Sequence, residues 1–177
     1  MSGPLNFDDL QIGDRWRSRG RTITETDVVN FAGLSGDYDP LHVDHEHARR
    51  SPFGRPVAHG LLGLSFAAGL STNSPAVHTD AFLAIRQWEF VQPAFIGDTV
   101  HVITEVVDLQ ATSRRHGRVT WVRQLVNQKD EVIQRGVFET LVATALGVMT
   151  RRDSTAPIPL KPVVHAAALR ELSRETG

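Results

Sequence analysis

Cysteine is absent from the 177 residues of the chain, and other features that would mark a special class of protein are scarce. Without thiols the chain forms neither disulfides nor a thiolate nucleophile, so we expect a protein of the reducing cytoplasm. Acidic and basic residues number 20 and 19 and leave a formal charge of −1, which argues against a nucleic-acid-binding surface. No apolar run is long enough to span a membrane, and the first residues lack the pattern of a signal peptide.

What is present suits a single globular domain. Hydrophobic residues make up 41% of the chain, which is enough for one packed core. We place the domain at residues 1–148. Residues 149–177 differ in composition, with many Arg, Pro and Ala residues, and we expect them to form a C-terminal extension. A terminal helix is expected over residues 163–174.

Helical patterns dominate the first half of the chain. Thr24 is a candidate N-cap, and Asp27 occupies the capping-box position three residues later. Apolar residues at helical spacing follow, and Gly36 favours the left-handed conformation that ends such a helix. A short helix is predicted over residues 44–50. Residues 59–71 are apolar on nearly every side, which indicates a helix buried on most of its faces.

In the second half of the chain, apolar and polar residues alternate with a period of two. This alternation predicts four strands near residues 82–92, 99–110, 118–127 and 132–144, and a shorter extended segment is expected over residues 15–23. Because short turns separate the long strands, consecutive strands are expected to pair antiparallel. Together these patterns predict an α+β fold in which one long central helix is wrapped by a curved antiparallel β-sheet.

Two stretches carry most of the residues that are capable of chemistry. The turn after the first helix holds Asp37, Asp39 and His42 and is stiffened by a proline. His59 and Gly60 lie at the start of the apolar helix, where free N–H groups and the helix dipole favour negative charge. We expect the two stretches to meet in space and form an active site.

Each of these residues also has a plain structural interpretation. Asp37 suits an Asx turn just past a helix, and His42 suits a loop histidine bonded to the backbone. His59 fits a structural bond that holds the loop at least as well as it fits a place in the site. Histidines and acids also crowd residues 42–47, but a helix sends neighbouring side chains to different faces, so we expect a solvated surface and no metal site there.

Three stretches of the sequence together resemble a known family. Residues 35–44 read SGDYDPLHVD, residues 53–60 read FGRPVAHG, and residues 93–100 read PAFIGDTV. The first is similar to the core motif Asp-x-Asn-Pro-x-His of the (R)-specific enoyl-CoA hydratases in the MaoC-like hot-dog family. The second resembles the family's approach to the hot-dog helix, and the third resembles the strand-turn-strand that follows. The likeness covers roughly residues 7–145, in matching order and spacing.

The resemblance implies an enzyme, a hydro-lyase of acyl-CoA metabolism. It would hydrate a trans-2-enoyl-CoA reversibly to a 3-hydroxyacyl-CoA, with no cofactor other than the coenzyme A of the substrate. By resemblance, Asp37 and His42 form the catalytic pair and the backbone N–H of Gly60 holds the oxyanion. Asp39 and His59 are candidate substrate contacts. The family further implies a dimer, and the single set of motifs in this sequence indicates one hot dog per chain, so we expect a homodimer or a dimer of dimers.

Two positions depart from the family pattern. Asp39 stands where the motif has asparagine, and an ionised carboxylate cannot donate the hydrogen bond that an amide can. Ala68 stands where the hydratases have a serine, and Ser65, one turn earlier, is the candidate that would replace it in binding substrate. The departures keep two alternatives open: a hot-dog acyl-CoA thioesterase, and a non-catalytic acyl-CoA-binding or assembly subunit.

Overall fold

The computed structural model describes residues 3–151, so the predicted helix over residues 163–174 lies outside the described residues. A 3-10 turn over Phe7–Asp9 and two short strands, β1 (Arg15–Arg17) and β2 (Arg21–Thr22), precede the helices. The helices that follow are α1 (Glu25–Ser35), α2 (Pro40–Val43), α3 (His45–Arg50) and α4 (Gly60–Leu70). The remaining elements are β3 (Thr79–Phe90), β4 (Thr99–Ala111), β5 (His116–Val126), β6 (Val132–Ala143) and α5 (Ala145–Arg151). No helix within residues 3–151 is long and apolar enough to cross a membrane.

Capping residues place the two ends of α1, as the sequence predicts. The Thr24 hydroxyl accepts from the N–H of Asp27 at 3.2 Å, and the Asp27 carboxylate accepts from the N–H of Thr24 at 2.8 Å. Gly36 ends the helix with a φ of 78°, a left-handed conformation that glycine adopts without strain. The chain therefore leaves α1 directly into the turn that carries Asp37.

The sheet is antiparallel, with the order β1-β4-β5-β6-β3 and β2 paired on β4. Strands β4, β5 and β6 form the expected meander. The expected pairing of β3 with β4 is wrong, because β3 pairs with β6 at the far end of the sheet. The connecting segment explains the difference: Ala94 and Phe95 pair with Ala58 and Val57 ahead of α4, so the chain crosses over instead of turning back as a hairpin.

Helix α4 lies against the inner face of the sheet. Its buried residues share one core cluster with side chains of β4, β5 and β6, namely Leu62, Phe66 and Ala67 with Val100, Val102, Leu125 and Ile133. Along β5 every second residue from Gly117 to Leu125 is buried, as expected for a strand with one covered face. One stripe of the helix is exposed in the single chain, with Leu61 58% exposed and Ser65 and Gly69 exposed along the same side, while its other residues are buried or half-buried.

Two glycines of α4 provide matched probes of its contact with the sheet. A Cβ at Gly63 would lie 2.3 Å from the Gln134 amide nitrogen, whereas a Cβ at Gly69 would meet no atom within 4 Å. Because Gly63→Ala must displace that amide, we expect it to lower the free energy of unfolding by about 1–3 kcal/mol. Gly69→Ala should instead raise it, by up to about 1 kcal/mol, through helix propensity. Urea unfolding of both variants checks this, and the reverse ranking would contradict the packing.

Candidate active site

The turn between α1 and α2 is held by its own polar groups. The Ser35 hydroxyl donates to the Phe31 carbonyl at 2.7 Å and accepts from the N–H of Asp37 at 3.2 Å. Asp37 Oδ1 accepts from the N–H of Asp39 at 3.2 Å, which is an Asx-type turn. Asp37 Oδ2 has no hydrogen-bond partner among residues 3–151, so the carboxylate keeps one oxygen for a ligand while the other shapes the turn.

Asp39 caps the single helical turn α2, which the sequence did not predict. Its Oδ1 accepts from the N–H of Leu41 at 2.8 Å, and Pro40 occupies the first helical position, where its missing N–H costs nothing. An asparagine oxygen can accept the same bond, and the two residues are comparable N-caps. The turn is therefore compatible with aspartate in place of the asparagine of the family motif.

A backbone carbonyl sets the tautomer of His42. Its Nδ1 lies 2.6 Å from the carbonyl oxygen of Val57. Because a carbonyl oxygen only accepts, the proton is assigned to Nδ1 and the basic lone pair to Nε2. The half-buried ring of His42 thus presents a proton acceptor on the side away from Val57.

His59 is buried, with 2% of its surface exposed, and it joins the turn to the start of α4. Its Nε2 donates to the carbonyl oxygen of Asp37 at 2.9 Å. The ring stacks on His42 with centroids 3.9 Å apart and also meets Phe31 at 5.1 Å. These contacts match the structural interpretation of His59, as a residue that positions the other two.

The two stretches singled out in the sequence meet in space. Single ligand atoms of Asp37, His42 and His59 lie within 4.8 Å of one another. Gly60 follows as the first residue of α4, and its N–H has no acceptor among residues 3–151. A metal ion would fit the separation of the three side chains. Each imidazole donates one N–H to a backbone carbonyl, which leaves its other ring nitrogen free to accept a proton. The arrangement favours acid/base chemistry.

Two cavities meet at Gly60 and Phe90. One, of about 290 Å³, is bordered by His42, and the other, of about 400 Å³, is bordered by Asp37 and His59. Their volumes are those of small-molecule sites. A Cβ at Gly60 would lie 2.8 Å from the Phe90 ring, so a residue without a side chain lets the backbone N–H approach both cavities.

Gln134 supports Gly60 from the sheet and was not identified from the sequence. Its Nε2 donates to the Gly60 carbonyl at 3.0 Å, and its Oε1 accepts from Trp88 Nε1 at 3.2 Å. The residue is buried on β6. The sequence gives only a weak signal for Gln134, namely an amide side chain at a position of β6 that points to the same inner face as Phe138.

Two of the predicted substrate contacts lie apart from this cluster. The Asp39 carboxylate is engaged with the backbone of its own turn. Ser65 is exposed on α4, where its hydroxyl donates to the Leu61 carbonyl at 2.9 Å, and it borders neither cavity. Asp37, His42, His59 and Gly60 are the predicted site residues that the fold brings together.

Solved structures place the fold in a known class. A structure described as a monoamine oxidase regulatory protein from Archaeoglobus aligns with 80% of this chain and 96% of its own, at 36% identity and a TM-score of 0.74. A conserved hypothetical protein of Mycobacterium tuberculosis with a double hot-dog fold aligns with 90% of this chain and 53% of its own, at 22% identity and a TM-score of 0.72. The fold is a hot dog.

Family membership follows from the sequence match. Residues 9–127 match the family described as MaoC like domain, which is more than half of the chain, so the chain belongs to this family. A 3-hydroxybutyryl-CoA dehydratase of Methylorubrum extorquens is 37% identical over 63% of this chain and 69% of its own. An (R)-specific enoyl-CoA hydratase of Rhodospirillum rubrum is 36% identical over 58% and 70%. Protein MaoC of Klebsiella aerogenes is 40% identical over 54% of this chain, which spans only 29% of that protein.

The cap at Asp39 can be tested by substitution. Asp39→Asn keeps an oxygen for the Leu41 N–H and should leave the free energy of unfolding nearly unchanged, whereas Asp39→Ala loses the cap and should lower it by about 0.5–2 kcal/mol. Chemical denaturation of both variants measures the difference. Equal stability of the alanine and asparagine variants would show that the cap does not stabilise the turn.

Proposed function

We propose that the protein reversibly hydrates a trans-2-enoyl-CoA, or a related unsaturated acyl-CoA, to a 3-hydroxyacyl-CoA. The observation that carries the proposal is the meeting of Asp37 and His42 beside the free N–H of Gly60. The names of the hydratase and dehydratase relatives support it. The substrate class follows from the names of these relatives, and the site holds groups that can move protons next to a thioester carbonyl.

Hydration begins with a water molecule held between Asp37 and His42. His42 Nε2 carries the lone pair and removes a proton from this water, while the Asp37 carboxylate orients it. The water oxygen bonds to C3 of the substrate, and the electron pair of the double bond moves toward the thioester oxygen. The reaction thus builds negative charge at the far end of the conjugated system.

The backbone N–H of Gly60 stabilises that negative charge on the thioester oxygen. This N–H opens α4, where unpaired amides and the helix dipole favour an anion. As the enolate collapses, C2 takes up the proton that His42 removed, so one water has been added in total. The reverse sequence dehydrates the product. We propose that the chemistry uses no cofactor or metal, with coenzyme A entering as part of the substrate.

We also propose a homodimer, or a dimer of such dimers. Strand β3 is an edge strand in the described chain, paired on one side with β6. Large apolar side chains next to this edge are exposed, including Leu61 at 58%, Phe82 at 53% and Phe90 at 57%. A second copy would cover them. Light scattering at micromolar concentration should give the mass of two or four chains, and the mass of a single chain would contradict this proposal.

The catalytic assignment predicts large losses from small changes. Asp37→Asn retains an oxygen for the turn but loses the charge, and His42→Gln loses the base. Each should lower kcat/KM for enoyl-CoA hydration by about 10²–10⁴-fold. His45→Gln is the matched control, because His45 pairs with Glu25 on the surface and should leave the rate unchanged.

Loss of the conjugated double bond is followed for short, medium, branched and carboxylated enoyl-CoAs. No turnover of any of them would overturn the proposal. Release of free coenzyme A thiol would identify a thioesterase instead. Binding of acyl-CoA with no reaction in either assay would identify a non-catalytic acyl-CoA-binding subunit.

A further inference from the structure

A third cavity lies away from Asp37 and His42, between the C-terminal half of α4 and the inner face of the sheet. Its volume is about 260 Å³, and its lining includes Ala68, Ser71, Phe82, Thr104, Arg123 and Thr140. A cavity of about 150 Å³ already admits a benzene ring, so this one accepts several carbon atoms. What sets it apart from an ordinary apolar cavity is its charge.

Arg123 is 8% exposed and points from the inward phase of β5 into this cavity. Its guanidinium carbon lies 4.5 Å from the centroid of the Phe138 ring. No carboxylate within residues 3–151 forms an ion pair with it, and its Nε has no hydrogen-bond partner there. Burial lowers the pKa of Arg123 to about 10, so the side chain still carries its positive charge at neutral pH.

An unpaired buried charge is costly, which makes a counter-ion at this position favourable. Two further groups in the lining can donate to the same ligand. Thr104, the cross-strand neighbour of Arg123, is fully buried and its hydroxyl has no partner among the described residues. The Thr140 hydroxyl accepts from Trp121 Nε1 at 2.9 Å, which leaves its own proton to donate. A guanidinium with neighbouring hydroxyls matches the planar oxygens of a carboxylate.

The cavity lies further along α4 from the proposed oxyanion site. Arg123 is directly across from Gly136, two residues along β6 from Gln134, and Gln134 holds the Gly60 carbonyl. Two strand residues span about 7 Å. On the helix, Gly60 and Ala68 are eight residues apart, about 12 Å along the axis. Measured along each element, these spacings are comparable to the length of a short acyl chain.

We propose that Arg123 binds the free carboxylate of a dicarboxylic acyl group, so that the preferred substrate is an enoyl-CoA with a carboxylate at its distal end. The inference rests on the proposed function, since it places the thioester at Gly60. An uncharged acyl chain of equal length leaves the buried guanidinium and hydroxyls unpaired, which is the situation in which a polar site rejects an analogue most strongly.

The test uses matched pairs of acyl-CoAs of short and medium chain, one ending in methyl and the other in a carboxylate. Calorimetry with the saturated pairs measures binding without turnover, and hydration of the unsaturated pairs measures kcat/KM. The wild-type protein should favour the carboxylated member by about 10- to 100-fold in Kd and in kcat/KM. Arg123→Met should bring this preference down to about one, both in the ratio of the two Kd values and in the ratio of the two kcat/KM values.

Two further variants make the result specific. Arg135→Met removes the same charge from an exposed arginine that pairs with Glu89 on the surface, and it should leave the preference intact. Thr104→Val removes a buried hydroxyl that has no protein partner, so it should fold at least as stably as the wild type yet lose about 3- to 10-fold of the preference. Thr104→Val keeps the test decisive if Arg123→Met does not fold.

Equal binding of both members of each pair, or a preference that survives in both variants of the cavity, overturns the inference. Turnover of uncharged enoyl-CoAs would then leave the hydratase proposal standing. A carboxylate preference in binding without any turnover would uphold the Arg123 site and overturn hydration. Stabilisation by a free dicarboxylate that requires Arg123, with no preference among acyl-CoAs, would show a separate carboxylate site and overturn its assignment to the substrate.

Discussion

The bond between His59 and the Asp37 backbone is the contact on which the site depends. It joins the turn after α1 to the N-cap residue of α4. The stacking of His59 on His42 then places the basic nitrogen of His42 near the Asp37 carboxylate. Each partner belongs to a different stretch of sequence. The bond from His42 Nδ1 to the Val57 carbonyl joins the same two stretches, and together the two bonds set the separation between the free N–H of Gly60 and the Asp37 carboxylate.

The helical part of the site could be predicted because its determinants are local. Thr24 and Asp27 form a capping box, Gly36 adopts a left-handed φ, and Asp44 caps α3, each through contacts within a few residues. The motif resemblance then identified Asp37 and His42 as a pair. Local chemistry was thus enough to place the turn, and the family pattern named the candidate catalytic residues within it.

The parts that escaped prediction depend on contacts between distant segments. Strand β3 pairs with β6 and not with β4 because residues 91–98 attach to the segment ahead of α4. The hydrophobic periodicity of the sequence carries no information about that attachment. Gln134 is likewise separated from Gly60 by 74 positions in the chain. Arg123 occupies an inward position of a strand that otherwise alternates normally, so its burial appears only once the sheet is curved around α4.

The N-terminal end of α4 attracts an anion, whereas its C-terminal end repels one. At Gly60 the helix offers unpaired N–H groups, and the dipole stabilises negative charge without help from a side chain. At the other end, carbonyl oxygens would repel a carboxylate. Ser71 donates its hydroxyl proton to the carbonyls of Ala67 and Ala68, which shields part of that negative end from the cavity. Arg123 on the facing strand carries a positive charge that offsets the remaining repulsion. Under the proposed assignment, the N-terminus of the helix stabilises the enolate oxygen formed during the reaction, and Arg123 stabilises the distal carboxylate.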